Sequence, residues 1–139
     1  MYETLKEYIK QNEGLRLEVY LDSVGKRTIG YGHLMLPTDK FTKITLAQAN
    51  ALFEQDFEKH LNQAKHFPNF ENLTHGQRCA IIDMVFNMGE FWPNFPKFTK
   101  YLSEGKIDLA ANELRTSKYA KQVGRRARNN IDLILGKKS

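Results

Sequence analysis

Apolar positions along the chain follow two rhythms. Tyr2, Leu5 and Ile9 recur at helical spacing and stop at Asn12-Glu13-Gly14, where Gly14 can take the left-handed conformation that ends a helix. Leu15, Leu17, Val19 and Leu21 then alternate, ahead of the turn-forming Asp22-Ser23-Val24-Gly25 and the run Thr28-Ile29-Gly30-Tyr31-Gly32-His33. This predicts a small antiparallel hairpin followed by a glycine-bearing strand. Thr45 and Gln48 make a capping-box pair, and Leu46, Ala49, Leu52, Phe53, Phe57, Leu61 and Ala64 sustain a helical stripe up to Pro68. Such a helix runs about 20 residues, roughly 30 Å.

A second capping box, Thr74 with Gln77, opens an apolar segment through Ala80, Ile81, Met84, Val85 and Met88 that ends at Gly89, the best candidate for a central core helix. The aromatic stretch Phe91-Trp92-Pro93-Asn94-Phe95-Pro96 breaks the period. A short helix to Glu104 follows, then one capped by Asp108 through Leu114, then a last one over residues 125–135 stopped by Gly136. The pattern predicts a small N-terminal α/β lobe with a β-hairpin, a long helix and a mostly helical C-terminal lobe.

Composition adds bounds. At 139 residues, with 41% hydrophobic and 27% charged residues, the chain can bury a real core and lies far from disordered usage. Its 21 Lys and Arg exceed its 16 Asp and Glu, and the excess is localised: residues 1–114 sum to −2, residues 115–139 to +7. A basic C-terminal fifth suits a polyanionic partner, be it nucleic acid, membrane surface or cell wall. One cysteine, Cys79, excludes an intramolecular disulfide and reads as an inert buried thiol. The start Met1-Tyr2-Glu3-Thr4-Leu5-Lys6 has no apolar export segment, and no window is apolar enough to span a bilayer.

The candidate chemistry is concentrated early. Glu13 at a helix end, Asp22 in a hairpin turn and Thr28 on the returning strand can face one groove. Cleaving a glycosidic bond needs a carboxylic acid to protonate the leaving oxygen and a carboxylate opposite to stabilise positive charge or activate water. Residue types alone equally suit a helix-end salt bridge, an Asx turn and a plain strand threonine. The dipole at a helix C-terminus helps keep Glu13 protonated, whereas a nearby arginine pushes the other way.

The context decides between them. Glu13-Gly14-Leu15-Arg16, Tyr20, Asp22, Gly25 and Thr28-Ile29-Gly30-Tyr31-Gly32-His33, with a second block of Arg78, Ala80 and Met84-Val85-Phe86-Asn87-Met88-Gly89-Glu90, resemble the phage-type lysozymes, glycoside hydrolase family 24. The resemblance covers nearly the whole chain and is weakest over residues 34–45 and 91–96. It implies a single α+β, lysozyme-like domain: an N-terminal lobe (about 13–60), a larger helical C-terminal lobe (about 61–139) that also takes the first helix, 2–12, and a cleft between them. It implies an endolysin-type muramidase that hydrolyses, with inversion, the β-1,4 bond between N-acetylmuramic acid and N-acetylglucosamine of peptidoglycan. Glu13 matches the general acid, Asp22 the second carboxylate and Thr28 the hydroxyl that helps position water. Gly30, Leu34, Phe86 and Asn87 match substrate-groove positions. Arg126 matches a cation facing the acid, with Arg125 the alternative, and Asp56 matches the acidic partner of His33. Asn87 and Glu113 depart from a family relative's glutamine and asparagine.

The resemblance further implies a monomer with no cofactor, no nucleic-acid partner and no stable membrane insertion. His60, His66 and His75 show no ligand-like grouping, so no metal is expected. Without an export signal, such an enzyme is expected in the host cytoplasm until a holin-like pore or a virion delivers it to the wall. The rival reading is a polyanion or nucleic-acid binding module using Lys118, Lys121, Arg125, Arg126, Arg128, Lys137 and Lys138.

Overall fold

A computed structural model describes residues 1–137. Its described residues form a three-stranded antiparallel sheet, order β1-β2-β3, and seven helices, an α+β arrangement of the expected class. The chain divides into two compact units, Met1–Lys59 and His60–Ser139.

The first unit begins with α1 (Glu3–Glu13), closed as expected at Gly14, whose N–H donates to the Lys10 carbonyl. This helix lies in the first unit, to whose longest helix its lysines bind. Lys6 Nζ bonds Glu54 at 2.9 Å and Lys10 Nζ bonds Asn50 at 3.2 Å, both on α2 (Leu46–Ala64). The same two ammonium groups lie 5.0 Å from the Phe57 and Phe53 rings, so the stems of both lysines cover apolar surface while their charges remain bonded.

β1 (Arg16–Leu21) pairs with β2 (Arg27–Gly30), and β2 with β3 (His33–Leu34). The expected single glycine-bearing strand is thus two strands. Gly30 and Gly32 both take positive φ, 67° and 73°, and turn the chain back on itself between them. Ile29, Ile44 and Ala49 form the buried centre, with Val19, Tyr31, Met35, Phe41 and Leu52 packed around it. On the other edge of β1, Val19 N–H donates to Thr42 O and Ile44 N–H to Leu17 O, so that edge is also covered.

In the second unit α3 (His75–Met88) is the core helix the pattern predicted. Its Thr74–Gln77 capping box is fully made, and Ile81, Ile82, Met84 and Val85 are completely buried. α3 packs on α7 (Arg125–Leu135), which also packs on α5 (Ile107–Arg115), itself against α4 (Pro96–Ser103). The aromatic stretch that broke the period is a packed cluster: Phe91 lies 5.4–6.2 Å from Trp92, Phe95 and Phe98, ring centre to ring centre. A further short helix, α6 (Lys118–Val123), was not expected from the pattern; Ser117 caps it by accepting from Ala120 N–H. Six residues with one buried side chain, Tyr119, give too little periodicity to register.

Candidate active site

Three elements of the first unit present the expected acid, carboxylate and hydroxyl. Glu13 is the last residue of α1 and is half-buried. Its side chain lies against the turn between β2 and β3. A methyl group on Gly32 would stand 2.5 Å from Glu13 Oε2, so any side chain here displaces the Glu13 carboxyl, and the positive φ favours glycine besides.

Asp22 shapes the hairpin turn with its own side chain. Its Oδ1 accepts from the backbone N–H groups of Val24 and Lys26 at 2.9 and 2.8 Å, while its N–H donates to Lys26 O at 2.9 Å. One carboxylate oxygen therefore serves the turn, and the rotamer is fixed for the other. Thr28 is buried, and its hydroxyl donates to Lys26 O at 3.0 Å. With its proton used locally, the Thr28 oxygen is oriented to accept.

Register gives Thr28 two neighbours on its face of the sheet. Tyr20 pairs with Thr28 and Thr28 with Leu34, so the three side chains form one row across the sheet. The Tyr20 phenol has a raised pKa: burial contributes most, then the negative charges of Glu13 and of Asp22, with Arg16 opposing. Both carboxylates thus act on one phenol. The Arg16 guanidinium stacks on the Tyr20 ring at 4.6 Å. Tyr20 and Arg16 were legible only as parts of a motif; nothing in their types marked a place beside two acids.

Gly30 lies in the core edge against Ile44 and Ala49, and Leu34 is 49% exposed. His33 is buried and bonds Asp56 as expected, with Nδ1 2.9 and 3.1 Å from the two carboxylate oxygens. A partner the sequence did not reveal sits on the other nitrogen: Asp39 Oδ2 lies 3.0 Å from Nε2 and also accepts from Leu36 N–H at 2.8 Å. Burial opposes protonation of His33, but the bonds to Asp39 and Asp56 outweigh it and its pKa is raised. Asp39 in turn is lowered, chiefly by the Leu36 N–H and then by His33.

The remaining expected residues belong to the second unit. Phe86 is half-buried and stacks on His60 at 4.3 Å between ring centres, and Asn87 is exposed. Arg126 is held within its unit by Asp83, through Nε at 3.0 and 3.1 Å and Nη2 at 2.8 Å. Asp83 is fully buried and also accepts from Asn130 Nδ2, which bonds Tyr119 as well. Asp83 did carry a signal in the sequence, as a charge inside Ile81-Ile82-Asp83-Met84-Val85 that can be buried only with a partner.

Of the cations in the rival reading, Lys118, Lys121, Arg125, Arg128 and Lys137 are exposed, Arg126 is paired, and Lys138 lies outside the described residues. The described residues hold no group of three or more His, Cys, Asp or Glu able to bind a metal, and no helix long and apolar enough to cross a membrane. Burial pushes the Cys79 thiol up to about 11.

Glu13 at the end of α1, Asp22 clamped in the β1–β2 turn and the buried Thr28 hydroxyl on β2 are the residue types that cleavage of a glycosidic bond requires. A sequence model of the phage lysozyme family matches residues 10–130, and the chain belongs to that family. It is a lysozyme, an enzyme of bacterial cell-wall lysis whose substrate class is peptidoglycan. Similar proteins include the probable T4-type lysozyme 2 of Dictyostelium discoideum, 29% identical over 96% of this chain and 95% of that one. The endolysin of Acyrthosiphon pisum secondary endosymbiont phage 1 is 34% identical over 85% of this chain and 80% of its own. The endolysin of Bacillus phage PZA is 29% identical over 76% of this chain and 41% of its own.

Proposed function

We propose that this lysozyme hydrolyses the β-1,4 bond between N-acetylmuramic acid and N-acetylglucosamine with inversion at the anomeric carbon. The observation that carries the reading is the arrangement of three residues in the first unit: Glu13 at the end of α1 against the β2–β3 turn, Asp22 with one carboxylate oxygen held by the Val24 and Lys26 N–H groups, and the buried Thr28 hydroxyl on β2. Glu13 gives its proton to the glycosidic oxygen as the bond to the anomeric carbon breaks. Asp22, with Oδ1 committed to the turn, uses Oδ2 to stabilise the positive charge that develops and to receive a proton from the attacking water. Thr28 accepts that water's other O–H bond. One water is consumed, the leaving sugar gains a hydroxyl, and both carboxyl groups then exchange protons with solvent to reset.

In this reading Gly30 and Leu34 line the groove from the sheet. Any part of Phe86, Asn87 and Arg126 in this reaction rests on the family resemblance alone. The enzyme works as a monomer, without cofactor, reaching the wall from the host cytoplasm through a holin-like pore. Mass spectrometry of digested peptidoglycan tests the bond: products end in reducing N-acetylmuramic acid, whereas anhydro-muramic ends would show a lytic transglycosylase instead. Proton NMR of the first product formed tests the stereochemistry, with the α-anomer expected and an initial β-anomer contradicting inversion.

A further inference from the structure

The strand that carries Leu34 is two residues long and lies at the sheet edge. Beyond it the chain enters a loop, 35–45, which is tied to β2 by Met35 N–H on Arg27 O, to β1 through Thr42 and Ile44, and between these, at the stretch next to Leu34, by Asp39. One oxygen, Oδ2, receives both the Leu36 N–H at 2.8 Å and the His33 Nε2 at 3.0 Å, and the Asp39 N–H returns to Leu36 O at 2.9 Å. His33 passes the constraint on to α2 through Asp56. Leu34 is therefore bracketed on both sides, by His33 before it and Leu36 after it, and both neighbours are tied to the same carboxylate oxygen. Leu34 shares its face of the sheet with its register partner Thr28.

We propose that Asp39 is a positioning residue for substrate binding, fixing the β3 edge so that Leu34 meets the glycan beside Thr28. The inference rests on the proposed reading that Leu34 and Thr28 face the sugar. Asp39 touches no substrate in this account; it acts through Leu34. The lowered pKa of Asp39 and the raised pKa of His33 agree in direction with this bonded pair.

The test separates geometry from charge. In Asp39→Ala both acceptor bonds vanish, and KM for soluble, uncrosslinked peptidoglycan strands is expected to rise about tenfold with kcat within about twofold. In Asp39→Asn the single carboxamide oxygen can accept both N–H groups, so KM stays near wild type, while the His33 imidazole pKa read by NMR falls in both variants because the charge is gone. Leu34→Ala should reproduce the KM rise, and adding Asp39→Ala to it should add little. An Asp39→Ala enzyme with unchanged KM overturns the proposal, as does one whose loss falls on kcat alone. If Asp39→Ala fails to fold, a wild-type KM in Asp39→Asn supports the proposal, and a KM raised as far as in Leu34→Ala overturns it. An unchanged KM in Leu34→Ala instead sinks the underlying reading of that face.

Discussion

At the scale of single residues, the site depends on a glycine as much as on its acids. Gly32 lies against Glu13 with no room for a β-carbon, at a φ of 73° that other residues adopt with strain. Gly32→Ala is expected to lower stability by about 1–2 kcal/mol through backbone conformation alone. It should also displace the Glu13 carboxyl, the flexible end of a side chain being the part that yields. Activity should therefore fall well beyond what the stability loss explains, and kcat measured where the variant is fully folded checks it. Glu13, Asp22 and Thr28 were legible in the sequence because turn residues and a motif fixed their spacing. Tyr20 and Asp39 were not: a tyrosine in a strand and an aspartate in an aperiodic loop acquire partners only through register and loop geometry, which no local pattern encodes.

Among elements, the imidazole of His33 joins β3, the loop after it and the long helix α2. The sequence anticipated one of its two carboxylates, Asp56, through the family resemblance, whereas Asp39 lies in an aperiodic loop. Its consequence for stability is pH-dependent with a definite sign. The folded-state pKa of His33 lies above the ordinary value of 6.5, so the stabilisation is complete below that pH and is lost as pH rises through the folded value. Asp39 acts in the opposite sense: its contribution is present above 3.8 and is lost as pH falls through its lowered folded value. Urea unfolding from pH 4 to 9 should show the gap between wild type and His33→Gln largest below pH 6.5 and narrowing toward pH 9. A gap independent of pH would mean that the protonated ring contributes nothing. The split of the glycine strand was missed for a similar reason, because Gly30 and Gly32 allow a reversal without announcing it.

At the level of the whole molecule, the two units stabilise themselves differently. The first relies on a small sheet core and on lysines that cover aromatic rings, the second on apolar helices with one buried ionic group. Asp83 meets Arg126, Asn130 and, through Asn130, Tyr119, so a single carboxylate links α3, α6 and α7. Removing it takes away all three Asp83 bonds of a guanidinium that is only 10% exposed. Asp83→Ala should lose about 3–5 kcal/mol, measured by urea denaturation, whereas replacing both Asp83 and Arg126 by apolar residues of similar size should lose much less. A single variant no less stable than the double would show that the pair is not coupled. Long amphipathic helices and their caps made the overall class readable from sequence. The buried ionic group was half-readable, its acid conspicuous and its partner 43 residues away.

The most direct test of the catalytic assignment is Glu13→Gln, assayed for clearing of a peptidoglycan suspension alongside its thermal unfolding curve. The substitution keeps size and polarity but leaves no proton to donate to the leaving oxygen. Lysis should fall by at least about a hundredfold while the unfolding transition stays within a few degrees of wild type. Clearing at close to the wild-type rate by a folded Glu13→Gln enzyme would contradict the account.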